Sequence, residues 1–131
     1  MLGINFLAVV VAAIAAFVAS LVWYIVFGKE LAKVSAAFAE GLQKRQLWKL
    51  LVVMVQSLVL ALVLAYFIGL IGKVDWLGAL RVGVLLWFGL SAVQWVGSIM
   101  WENVPVKMAA IHAGDWLVKL VLIAVIVGVW R

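Results

Sequence analysis

The stretch AAIHAGDWLVKLVLIAVIVGVWR, residues 109–131, has the length and apolarity of a membrane-spanning helix, yet His112, Asp115 and Lys119 fall well inside it. A span needs about 20 predominantly apolar residues to cross roughly 30 Å of hydrocarbon. An ionisable side chain at its centre costs ~2.5–3.5 kcal/mol on insertion scales. Three such groups in one span need partners inside a bundle, and the rest of the chain has to supply them.

The composition agrees. Of 131 residues, 70% are hydrophobic and 11% charged, and the mean hydropathy is +1.34. Soluble domains lie near one-half apolar and about one-quarter charged, so a single integral membrane domain, residues 1–131, is expected. The chain has no cysteine and one histidine, which excludes a disulfide or thiolate nucleophile and leaves little from which to build a zinc site within one chain. The net charge of +5 sits beside apolar spans, where basic residues set topology and touch anionic lipid. No phosphate loop, heptad repeat or nucleic-acid module accompanies it, so no nucleic acid is expected.

Four spans are legible, at about 2–27, 50–71, 76–100 and 106–130. The first lacks a basic leader and is too long for a signal-peptide core of ~7–15 residues. Lys29, Lys33, Lys44, Arg45, Lys49 and Lys107 fall on one side, against Lys73, Arg81 and Arg131 on the other. The positive-inside rule then places both termini outside the cytoplasm, in the inner membrane. Trp23, Tyr24, Trp48 and Trp101 are expected at the inner boundary and Trp76, Tyr66 and Trp130 at the outer one, as an aromatic belt. Arg81 reads as a snorkelling anchor or a partner of Asp75.

Between the first two spans, GKELAKVSAAFAEGLQKRQ (28–46) carries Leu31, Val34, Phe38 and Leu42 at helical spacing, with Lys29, Lys33, Glu40 and Lys44 off that stripe. Glu40 precedes Lys44 by four residues, the favourable order on a helix. This predicts a short amphipathic helix on the inner surface, broken near Gly41, with a solvated connector as the alternative. In the first span Ala8, Ala12, Ala16 and Ser20 place a small residue at every fourth position, which lets a second helix approach closely. Packing within the bundle is the simpler reading of that stripe, with self-association as the alternative.

His112, Asp115 and Lys119, spaced three and four, share one helix face. The third span repeats the spacing in Ser91, Gln94 and Ser98, with Trp87 continuing the face. Only WENVPVK (101–107) separates the two spans, so a hairpin turning near Val104 and Pro105 sets Ser98 level with His112, Gln94 with Asp115 and Ser91 with Lys119. Gln56 on the second span reaches a similar depth. This polar seam reads either as a satisfied core that fixes helix register or as a small-molecule or proton site open to the cytoplasm through His112 and Glu102. Asp115 and Lys119 are expected to pair with each other and to be chiefly structural. Glu102 is expected to cap the fourth span or pair with Lys107. Serine, histidine and aspartate all occur, but without a strained nucleophile turn or an oxyanion donor set, so no catalytic residue is assigned and no enzyme is expected. No cofactor and no metal are expected; haem ligation would need His112 to pair across subunits.

The chain resembles a bacterial and fungal membrane family catalogued as domain of unknown function 1761. The likeness begins with Asn5 before an alanine-rich span, then Trp23-Tyr24 and Phe27-Gly28-Lys29 at its end. It continues through GALRVGVLLWFGLSA (78–92), where Trp87 and Gly89 match a Trp-x-Gly, then through Trp101-Glu102 and Pro105, and finally through Ile111, Gly114 and Trp130. The family's pattern has Ser-Pro where this chain has Ile25-Val26, an aromatic at Asp115 and an uncharged residue at Lys119. The resemblance implies four transmembrane helices and no known reaction. It makes the Asp115–Lys119 pair particular to this chain and leaves Glu102, Trp87 and the surroundings of His112 as the better candidates for anything the family has in common.

The expectation is therefore an all-α, four-transmembrane-helix bundle with a short amphipathic interfacial helix between the first and second spans. It would be a homo-oligomeric carrier or small-molecule or proton-binding protein in the lipid bilayer. The alternative is a non-catalytic accessory subunit docking on partner membrane subunits through the small-residue face of span one.

Overall fold

The computed structural model describes residues 3–43, 47–72 and 74–130. Among them every regular element is helical: α1 (Phe6–Val34), α2 (Ala36–Gln43), α3 (Leu47–Ile71), α4 (Trp76–Leu86), a π-helical turn (Trp87–Ala92), α5 (Val93–Glu102) and α6 (Val106–Val129). Four stretches are long and apolar enough to cross a membrane: α1, α3, Trp76–Glu102 and α6. The all-α fold and the four spans are as the sequence predicts, and the protein is a membrane protein.

The helix ends follow from local chemistry. Asn5 caps α1, its side-chain oxygen accepting from the Leu7 and Ala8 amides, as an N-cap asparagine does. Asp75 caps α4 by accepting from the Gly78 amide at 2.8 Å. This occupies Asp75 locally and leaves Arg81 exposed on α4. Gly72, at φ 109°, turns the chain between α3 and α4, a conformation that costs glycine nothing. Asn103 takes φ 55° at the end of α5, a left-handed cap that asparagine tolerates. The hairpin between the third and fourth spans therefore turns over Asn103, Val104 and Pro105.

Two boundaries differ from the sequence reading. The first span does not end near residue 27: α1 runs through Gly28 to Val34, because nothing in KELAKV stops a helix. The break falls at Ser35, in extended backbone, and not at Gly41. Ser35 then starts α2 by accepting from the Phe38 amide at 3.1 Å. Phe38 folds back onto Tyr24 and over Gly28, so α2 is held to the end of α1. The Leu42 side chain and Lys44 lie outside the described residues.

Helix α6 is the hub. It packs on α1, α3 and α4, while the third span meets the bundle chiefly through α6. The core comprises Ala12, Ala13 and Ala16 of α1, Ala61, Leu64 and Ile68 of α3, and Leu120, Ile123, Ala124 and Val127 of α6. Ala8, Ala12, Ala16 and Ser20 are all buried inside this bundle. As the simpler reading of the stripe has it, the small side chains serve the close approach of α1 to its own neighbours. On the other side, a side chain at Gly83 of α4 would meet the Leu120 carbonyl oxygen at 3.0 Å, so glycine there permits the α4–α6 crossing.

Candidate functional site

Asp115 is 2% exposed and sits where α6 crosses α1. Lys119, one turn further along the same helix, places Nζ 2.9 Å from Asp115 Oδ2. The Ser20 hydroxyl, the last of the small residues on α1, donates to Asp115 Oδ1 at 2.6 Å. The Tyr24 hydroxyl, one turn beyond Ser20, lies 3.5 Å from Asp115 Oδ2 and 2.7 Å from His112 Nδ1. Both carboxylate oxygens thus have partners, as a charge in low dielectric requires. Lys119 also lies over the Trp116 ring, 4.7 Å from its centroid, a cation–π contact that helps to hold the ammonium.

His112 is held from two sides. Trp95 stacks on the imidazole at 5.2 Å between ring centroids and 13° between planes, and Tyr24 takes its Nδ1. Two further indoles clamp the backbone of α6. Trp23 Nε1 donates to the Ile111 carbonyl at 2.9 Å, and Trp87 Nε1 to the Ala113 carbonyl at 2.7 Å. Inside a bilayer an indole N–H has no water to satisfy it, so each donor fixes its span against α6. Gly114 makes the α1 clamp possible, because any β-carbon there would collide with the Trp23 ring.

The expected seam between spans three and four is not what the structure forms. Asp115 and Lys119 share one face of α6 with His112, but Asp115 turns to Ser20 and Tyr24 on α1. The cause on the other span is the π-helical turn at Trp87–Ala92. A wide turn adds a residue and rotates everything after it by about one residue's worth of helix. Positions four apart, Trp87, Ser91 and Trp95, then face α6. Gln94 is carried outward and is exposed, and Ser98 is half-buried. Ser91 is buried with its hydroxyl unpartnered, as is Ser57 on α3; it is not a ligand of Lys119. Trp23 and Tyr24 also depart from the aromatic belt, turning inward, whereas Trp48, Trp101, Trp76, Tyr66 and Trp130 are exposed.

Glu102 is exposed at the end of α5. It neither caps α6, which starts at Pro105 without a side-chain cap, nor pairs with Lys107. Lys107 instead bonds Glu30 near the end of α1, and Glu30 also receives Lys33 at 3.3 Å. This surface cluster ties the two ends of α1 and α6 that flank the site.

A cavity of about 670 Å³ opens beside the charged pair, within the range of ligand pockets. Its walls are mostly apolar, including Phe17, Leu21 and Ile25 of α1 and Leu50 and Val53 of α3. Ser20, Tyr24, Gln56, Asp115, Lys119 and Lys29 are its polar lining, and Phe38 adds a further ring. Gln56 lines this cavity and also a second groove between α3 and Trp116, which brings it to the site from the second span. Further along the bundle, the alanines of α1 pack against the core side chains of α3 and α6. Among the described residues no three His, Cys, Asp or Glu side chains gather closely enough for a metal ion. The donors present suit hydrogen bonding, charge pairing and proton exchange.

Sequence reasoning missed Tyr24, Trp23, Trp95 and the hydroxyl of Ser20 as members of this site. A usable signal existed for one of them. Ser20 alone in the small-residue stripe carries a donor, and an aspartate in another span needs one.

Residues 7–128 match the profile of a family described as protein of unknown function, DUF1761. No curated protein and no solved structure matches the chain.

Proposed function

This chain belongs to the DUF1761 family of proteins of unknown function, and we propose that it is a small, non-catalytic carrier that binds a small molecule or a proton inside the bilayer. The observation that carries this reading is the position of the Asp115–Lys119 pair. A purely structural pair would be sealed by protein, whereas this one lines the 670 Å³ cavity. The Lys119 side chain keeps 13% of its surface open. A ligand's polar group competes with Asp115 for Lys119, and the apolar walls take the rest of it. The Tyr24 hydroxyl, between Asp115 and His112, gives a proton a route from the carboxylate to the imidazole.

The lysines near residues 28–49 and Lys107 set the orientation we propose, with this end of the bundle in the cytoplasm, both termini outside, and the cell's inner membrane as the host. The cavity then lies in the inner half of the bilayer. A protease-accessible tag after Arg131 tests the orientation: it is cut in intact spheroplasts, and cutting only in inside-out vesicles overturns it.

Binding is tested by native mass spectrometry of protein released gently from its own membranes. Wild type should carry a small-molecule adduct that Val53→Trp, which fills the cavity, removes without loss of folding. For the proton alternative, proteoliposomes holding the pH dye pyranine should equilibrate an imposed pH step faster with wild type than with Tyr24→Phe. Absence of both an adduct and a proton flux overturns the proposal.

A further inference from the structure

The third span carries an anomaly that the cavity does not absorb. Gln94 is exposed on α5, eight residues before Glu102 and thus roughly 12 Å into the bilayer from the inner end. It lines neither cavity beside Trp116, and it has turned away from α6. A primary amide with two donors and a carbonyl acceptor finds no water at that depth, and leaving it in hydrocarbon is costly. Gln56, at a comparable depth, at least faces the polar site; Gln94 faces out.

The residues that follow Gln94 on α5 leave this flank open as well. Gly97 and Trp101 follow at spacings of three and four, on the same flank of α5. A β-carbon at Gly97 would meet nothing within 4 Å, so no neighbour among the described residues explains a glycine there. Trp101 is 83% exposed at the inner boundary. This span is also the least enclosed of the four, touching the bundle chiefly through α6.

We infer that this flank of α5 is a self-association face, on which a second copy of the chain docks with Gln94 against its own counterpart across a two-fold axis along the membrane normal. An amide is its own complement, donating through nitrogen and accepting through oxygen, and such an axis brings identical residues together at identical depth. Gly97 lets the two backbones approach closely enough for the amides to meet, as small residues do between membrane helices. The inference does not depend on the cavity having a ligand.

The chain has no cysteine, so single cysteines report the face directly. Under oxidation by copper phenanthroline in native membranes, Gly97→Cys and Trp101→Cys should form disulfide-linked dimers, while Val96→Cys and Ile99→Cys should not. In mild detergent, Gln94→Leu should weaken the dimer about tenfold, the scale of one or two interhelical hydrogen bonds in membranes, and Gln94→Asn should retain most of it. Gly97→Leu should abolish the dimer with the monomer still folded, since the side chain enters open space within one chain. A monomeric wild type, cross-linking that peaks on another flank, or an unrelated membrane chain cross-linked at 97 in place of a second copy would each overturn the inference. None of these readouts depends on adduct retention, so its failure and the failure of the carrier proposal are distinguishable.

Discussion

Ser20 on the first span donates its hydroxyl to Asp115 on the fourth at 2.6 Å, across 95 residues of sequence. The small-residue stripe of α1 and the ionisable face of α6 are therefore two sides of one interface. The stripe's alanines bring the helices close, and its serine satisfies the charge that the approach buries. Ser20→Ala should lower stability by about 1.5–3 kcal/mol, the range for a hydrogen bond to a charged group, whereas Ala19→Ser on the adjacent face of α1 should change little. Thermal melts in one detergent compare them.

Ser91 separates the sequence register from the structural one. If Ser91 solvated Lys119, removing its hydroxyl would destabilise the protein. The structure leaves that hydroxyl buried and unpartnered, and deleting an unsatisfied polar atom is neutral or favourable. Ser91→Ala should therefore melt at or slightly above the wild-type temperature, and a clear drop would restore the seam between the third and fourth spans.

The indole clamps on α6 give a third expectation. Trp87→Phe keeps most of the ring packing but loses the donor to the Ala113 carbonyl, so it should cost roughly 1 kcal/mol. Gly114→Ala should cost more than Trp23→Phe, because the added methyl expels the Trp23 ring and its bond to Ile111 together. Combining Gly114→Ala with Trp23→Phe should then fall short of the sum, since residues in contact do not add. Melting temperatures of the three variants decide it.

The four helices are legible because hydrocarbon thickness dictates their length and composition, and the hairpin between the third and fourth spans because proline after WENV cannot continue a helix. The partner of Asp115 is not. The spacing of Ser91, Gln94 and Ser98 is correct for a regular helix, but the wide turn at Trp87–Ala92 has no distinct sequence mark. It hands the inward position from Gln94 to Trp95. Trp23 and Tyr24 were misread for a related reason: an aromatic ring with a polar edge near a membrane boundary has the same sequence appearance whether it faces headgroups or a helix carbonyl. The Asp115–Lys119 pair depends only on positions within one helix, where a spacing of four fixes the contact.

The same logic sets the exposed polar residues apart from the site. Glu102 stands at the end of α5 without a role in capping α6, so Glu102→Gln should leave both the melting temperature and any adduct unchanged. Loss of the adduct at unchanged stability would move the site toward the hairpin between α5 and α6.

A double-mutant cycle on Asp115 and Lys119 tests the central claim most directly, namely that these two charges compensate each other at the α1–α6 interface. Breaking a buried pair by removing one partner costs ~3–5 kcal/mol, while replacing both with apolar groups of similar volume is often near neutral. Asp115→Leu and Lys119→Met should each lower the melting temperature sharply. The double variant should recover most of the loss, short of wild type by what Ser20 forfeits. Additive losses in the double variant, or single variants that melt with wild type, would contradict the account.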